Sequence, residues 1–120
     1  MDQYGKPLIV LDLIIDDKCL RDTFRIDTGF DGELAIPEDM VRRYNISCQE
    51  HIKLKLLTGE KREFPVIRTK ILLGRNIIEA RTIVTKVRPG LIGISLLRKI
   101  TRVMLIDFDD FELKIWLKKQ

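Results

Sequence analysis

With 120 residues, 45% hydrophobic and 33% charged, the chain is long enough for one domain with an apolar core, and its composition excludes a disordered polymer. Lys and Arg number 22 against 18 Asp and Glu, a net charge of +4 with the two signs interspersed, so a nucleic-acid-binding surface is not signalled. Apolar runs such as Leu11–Ile15 and 71–73 are broken by Asp or Gly far short of the length that crosses a membrane. The start Met-Asp-Gln-Tyr-Gly-Lys-Pro has no basic and apolar secretion signal, and the expectation is a cytoplasmic protein.

In chain order, Leu8–Ile15 and Cys19–Ile26 read as the arms of a β-hairpin turned by Asp16-Asp17-Lys18. The run Asp27-Thr28-Gly29-Phe30-Asp31-Gly32 follows as a loop set on the end of a strand, and Glu33–Ile36 is extended again. Pro37, Glu38 and Asp39 form a helix start, because proline suits the first helical position and acids suit the positive end of the helix dipole. The predicted helix covers 37–44 and is closed by Asn45.

From His51, Ile52, Leu54 and Leu56 alternate with Lys53 and Lys55, the period of a strand with one wet face. Residues 52–67 therefore read as a second hairpin with its polar tip at Thr58-Gly59-Glu60-Lys61. A third hairpin joins 71–73 to 77–84 through Gly74-Arg75-Asn76. Arg88-Pro89-Gly90 interrupts the pattern before Leu91-Ile92-Gly93, and the spacing of Ile94, Leu97 and Ile100 predicts a short helix over 94–100. Val103–Phe108 and Phe111–Leu117 close the chain as a last hairpin around Asp109-Asp110. The expected fold is mainly β with two short helices, in a single domain spanning 1–120. The order hairpin, glycine loop, short helix occurs twice, which predicts an internal pseudo-symmetry.

The two cysteines, Cys19 and Cys48, with His51 as the only histidine, match no usual metal spacing, so no metal and no cofactor is expected. Both are expected to be free thiols packed as small apolar groups. The basic pairs Arg42-Arg43 and Lys118-Lys119 read as a solvated face and a solvated end.

The chemistry centres on Asp27-Thr28-Gly29. A carboxylate can act as general base on a water, a hydroxyl can hold the loop by hydrogen bonds, and a residue without Cβ lets backbone N–H groups approach the carboxylate. Alone, such a triplet is a common turn. In this context it resembles the catalytic triplet of the retroviral-type, or retropepsin-like, aspartic proteases (clan AA), and in particular their cellular bacterial and archaeal branch. Leu91-Ile92-Gly93 resembles the family's apolar-apolar-glycine element beside the triplet, with a helix after it. The hairpin tipped by Thr58, Gly59 and Glu60 falls where the family carries its flap.

That resemblance implies a closed, barrel-like acid-protease domain acting as an aspartic endopeptidase. Asp27, Thr28 and Gly29 would be catalytic, and Phe30, Asp31, Thr58, Gly59, Glu60, Leu91, Ile92 and Gly93 would contact a peptide or protein substrate. The family's reaction uses two aspartates about one water, and one Asp-Thr-Gly occurs here. A homodimer with Asp27 facing its own copy is the simplest completion. Phe30 departs from the family, where alanine or serine follows the triplet. Asp31 is a second acid just past the triplet, a candidate to bind a basic substrate residue or tune the dyad and otherwise simply an exposed side chain, and Trp116 is a candidate either for a dimer interface or for the core. The alternative is a catalytically inactive peptide-binding or dimerisation domain on the same fold.

Overall fold

The computed structural model describes residues 5–48 and 50–118. Residues 1–4 and Lys119 lie outside them, and with them most of the amino-terminal reading and half of the terminal basic pair.

Nine strands and two helices follow in the order β1 (Leu8–Ile15), β2 (Lys18–Asp27), β3 (Leu34–Pro37), α1 (Glu38–Arg43), β4 (Glu50–Lys55), β5 (Lys61–Leu73), β6 (Asn76–Thr85), β7 (Gly90–Gly93), α2 (Ile94–Ile100), β8 (Thr101–Asp107) and β9 (Glu112–Leu117). The main sheet runs β1-β2-β7-β3-β6-β5-β4, and a further β1–β5 pairing closes its first six strands into a barrel. β4 stays outside as a flap strand paired with β5 alone, and β8–β9 forms a separate two-stranded sheet. Among the described residues no helix is long and apolar enough to cross a membrane.

Local chemistry explains the turns. Ile15 pairs with Lys18, so Asp16 and Asp17 form a two-residue turn, with φ of 50° and 63° respectively. Two positive φ values in succession match the right-handed twist of the flanking strands, and aspartate is among the residues that tolerate them. Gly74 turns β5 into β6 with φ +61°.

In the core, Leu11, Leu13, Phe24, Leu34, Ile36, Ile71 and Ile92 of the barrel strands and Leu96 and Ile100 of α2 are almost wholly buried. Two polar side chains share that interior, Thr69 and Thr82, and the Thr82 hydroxyl donates to Thr69 Oγ1 at 2.9 Å. Burying hydroxyls is tolerable here because they satisfy each other.

The predicted pseudo-symmetry is present in the pairing itself. Exchanging β1 with β5, β2 with β6, and β3 with β7 leaves the barrel's ladder unchanged: β2 and β7 are parallel, as are β6 and β3, while β3–β7 is antiparallel. In this exchange Asp27, paired with Gly93, maps onto Thr85, paired with Pro37.

Several expectations shift. The first helix starts at Glu38, not at 37, because Pro37 is still extended (φ −67°, ψ 144°) and caps from outside. Asn45 lies just past the helix with φ 52°, in the left-handed region. The second and third hairpins are not separate: β5 is one 13-residue strand that serves both, pairing with β4 through residues 61–66 and with β6 through 66–73. Both cysteines are free thiols, but Cys19 is exposed instead of packed. Burial raises the Cys48 thiol above its ordinary range, and nearby Asp16 adds to this.

Candidate active site

Asp27 is the last residue of β2, where the strand leaves its parallel partner β7 opposite Gly93. The loop that follows turns at once. Phe30 N–H donates to the Asp27 carbonyl at 3.1 Å, and Gly29 N–H donates to Asp27 Oδ1 at 3.0 Å. One carboxylate oxygen is thereby held by the backbone of its own triplet, and the side chain stays partly accessible.

The far end of the loop is fixed as firmly. Gly93 N–H donates to the Glu33 carbonyl at 2.9 Å, and Ser95 Oγ, at the start of α2, donates to the Asp31 carbonyl at 2.9 Å. The Glu33 carboxylate reaches two further elements, accepting the Arg81 N–H of β6 at 3.0 Å and pairing with Lys99 of α2. Partial burial alone would push the Glu33 carboxyl up, but the hydrogen bonds from Lys99 and the Arg81 backbone outweigh it and hold the carboxyl below its ordinary value.

Gly93 is required by contact. A Cβ built there would lie 2.0 Å from the Gly32 carbonyl oxygen and 2.7 Å from that of Phe30, so β7 and the loop touch backbone to backbone. The Phe30 ring lies over the same place, 2.5 Å from where a Cβ on Gly32 would be. The large residue that follows the triplet is accommodated because both neighbours are glycines.

Above the loop lies an open cleft of about 620 Å³, floored by residues 29–34, roofed by Ile52, Leu54, Lys55 and Leu56 of the flap, and walled by Phe64, Arg81 and Ile83. A second groove, of about 710 Å³, lies between α1 and the base of the flap; Asp27 itself lines neither, and the cleft begins two residues after it, at Gly29. Phe30 and Asp31 line the cleft as expected. The flap-tip residues Thr58, Gly59 and Glu60 stand in solvent and do not line it. The tip is ordered by Leu56 N–H to the Glu60 carbonyl at 2.7 Å and Gly59 N–H to the Leu56 carbonyl at 2.9 Å.

Leu91, Ile92 and Gly93 do not line the cleft either. Ile92 is wholly buried in the core and Gly93 braces the loop from beneath. Thr28 is exposed. Among the described residues no group of three or more His, Cys, Asp or Glu side chains could hold a metal ion. The sequence did not single out Leu34, Phe64, Arg81 and Ile83 as cleft residues, because they come from three separate segments. Leu57 was also passed over, although it is fully exposed at the tip, an apolar side chain with no local reason to be there.

A closed barrel with an acid-bearing loop held against a glycine strand, beneath an overhanging hairpin, is the retropepsin-like fold. Solved structures agree. The chain is similar to a retropepsin-like aspartic protease from Rickettsia conorii, at 17% identity and a TM-score of 0.65, over 90% of this chain and 81% of that one. It is similar also to the EIAV protease in complex with the inhibitor HBY-793, at 16% identity and a TM-score of 0.54, over 82% of this chain and 90% of that one. No protein-family model matches the sequence, and no curated protein aligns with it significantly.

Proposed function

We propose that the protein is an aspartic endopeptidase whose catalytic pair is Asp27 and the Asp27 of a second copy. The observation that carries this reading is the placement of Asp27, a partly exposed carboxylate held by Gly29 N–H at the head of the loop whose next residues, from Gly29 on, floor an apolar cleft beneath the flap hairpin. Within the chain, the position equivalent to Asp27 is Thr85, which has no acid to offer, so the second carboxylate must come from another molecule.

Two carboxylates meeting about one water do not both ionise readily, and the pair shares a proton. The ionised member accepts a proton from the water as it attacks the scissile carbonyl. The protonated member donates to the carbonyl oxygen, and the proton then passes to the leaving amine. Gly29 fixes the orientation of each carboxylate, and Thr28 is free to bond across the pair. The flap closes over an extended peptide, excluding water and adding backbone hydrogen bonds.

The β8–β9 hairpin offers the surface for the second copy. Met104 and Leu113 pack against the core, whereas Val103, Leu105 and Trp116 point the other way and stay exposed, Trp116 at 49%. That exposure removes core packing as the role of Trp116. A two-stranded ribbon with a bare apolar face is marginal in water and gains by being covered.

The test pairs cleavage with mass. Purified protein is expected to sediment as a dimer and to cut unfolded protein substrates at mildly acidic pH. Asp27→Asn is expected to remain a dimer and to cut nothing, and Trp116→Lys to sediment as an inactive monomer. Undiminished turnover in Asp27→Asn would refute the mechanism. A dimer that binds peptides and cuts none across the pH range would leave the non-catalytic binding domain.

A further inference from the structure

The cleft changes character along its length. On β6, Thr82 points into the barrel while Arg81 and Ile83 point out into the cleft. On β5, Val66 stands opposite Ile83 and Arg68 stands opposite Arg81. The wall is therefore apolar beside Phe30 and Phe64 and becomes Arg81 one strand step further along, roughly 7 Å away, with Arg68 across from it in the adjoining groove.

Neighbouring cross-strand charges are matched: Lys70 faces Glu79 directly. Arg68 and Arg81 are not. They face each other as like charges, an arrangement that is unfavourable in a sheet, and neither makes a salt bridge among the described residues. The acids nearby offset them in part, since the charges of Glu33 and Arg81 attract, but none of these acids pairs with either guanidinium. Glu33 pairs with Lys99 and accepts the backbone N–H of Arg81, Glu79 faces Lys70, and Glu50 of the adjoining groove and Asp31 on the cleft floor make no salt bridge among the described residues.

We infer that this end of the cleft selects an acidic side chain, received by Arg81 with Arg68 behind it, two residues away from a large apolar side chain seated against Phe30, Phe64 and Ile83. The inference rests on the reading of the cleft as a peptide site. The geometry is that of an extended peptide, whose alternate side chains lie on one face at the same spacing as Arg81 and Ile83. The guanidinium presents a planar fork to a carboxylate, so the contact carries direction as well as charge.

The test uses the Asp27→Asn protein and fluorescein-labelled peptides with Leu or Phe fixed at one position and Glu, Gln or Lys placed two residues to either side. In one of the two placements Glu is expected to bind about three- to ten-fold tighter than Lys, with Gln between, as fits a solvent-accessible contact. The preference should shrink as salt rises from about 0.05 M to about 0.5 M. Arg81→Glu is expected to reverse the order, and Arg68→Glu, on the neighbouring strand, to weaken it. Equal affinity for all three peptides in both placements, a Glu preference that survives Arg81→Glu, or no binding of any peptide overturns the inference. Cleavage of the same peptides by the unmodified protein separates the two claims. Turnover without charge preference removes the selection and leaves the peptidase. Selective binding without turnover removes the peptidase and leaves the selection.

Discussion

Replacing Gly93 by alanine should damage both the fold and the site, and the extent follows from three distances. The new methyl would lie 2.0 Å from the Gly32 carbonyl oxygen, 2.7 Å from that of Phe30, and 2.9 Å from the Phe30 ring. The closest of these is more than an ångström inside ordinary contact and involves backbone, which cannot rotate away. Either β7 or the loop must shift. Shifting β7 breaks its pairing with Asp27 and the Gly93 N–H bond to Glu33. Overpacking against backbone costs at least about 3 kcal/mol, the upper end of the usual range. In a domain of this size that lowers the unfolding midpoint by roughly 10 to 15 °C. Under the proposed mechanism, the Asp27 carboxylate, carried on the displaced loop, would miss its partner by about 1 Å, a misplacement worth on the order of 100-fold in turnover. Thermal unfolding followed by circular dichroism and a peptide-cleavage assay measure the two effects. Gly74→Ala is the control: its methyl would meet nothing within 4 Å, and the penalty is confined to the positive φ, about 1 kcal/mol. An unfolding midpoint in Gly93→Ala equal to that of the unmodified protein would show that the loop and β7 do not touch as described.

The buried hydroxyl pair tests the barrel interior. Thr82→Val leaves Thr69 Oγ1 without its donor and should cost about 1 to 3 kcal/mol by urea denaturation, whereas Thr69→Val with Thr82→Val should recover most of the loss. Equal losses in the single and double variants would contradict the pairing. Glu33 predicts a pH dependence. Its carboxyl is held below the ordinary value, so its stabilising contribution is complete above the unfolded titration near pH ~4.3 and is lost as pH falls through the lower folded value. Glu33→Gln should therefore be less stable than the unmodified protein by about 1 to 2 kcal/mol at pH 7, with the gap closing in strong acid. A gap that widens toward acid would reverse the assigned sign.

The sequence read best where one residue type has one local job. Asp16-Asp17 and Gly74 marked their turns because few residues accept positive φ, and the flap strand showed its faces through alternating Ile52, Lys53, Leu54 and Lys55. The continuity of β5 was hidden by Thr69, a polar residue at an inward position. Its burial makes sense only beside Thr82, thirteen residues away, so the alternation of Arg68, Thr69, Lys70 and Ile71 looked broken. The loop around Asp27 was legible as a loop, and Gly93 as its neighbour. The cleft was not, since Phe64, Arg81 and Ile83 become neighbours of Phe30 through pairing between distant strands, which no local pattern encodes. Leu91, Ile92 and Gly93, expected to contact substrate, do not line the cleft of the single chain, where Ile92 belongs to the core and Gly93 supports the loop.

The exchange that maps each half of the barrel onto the other divides labour between two pseudo-symmetric units. The first unit carries the acid at Asp27 and the floor of the cleft. The second carries no acid and contributes the wall, through Phe64, Arg81 and Ile83. At position 81 the second unit is tied to the Asp27 loop by a main-chain N–H donated to Glu33, a bond that any residue except proline would supply. The side chain there can change without disturbing the loop that carries Asp27, so the wall of the cleft is free to vary independently of its floor.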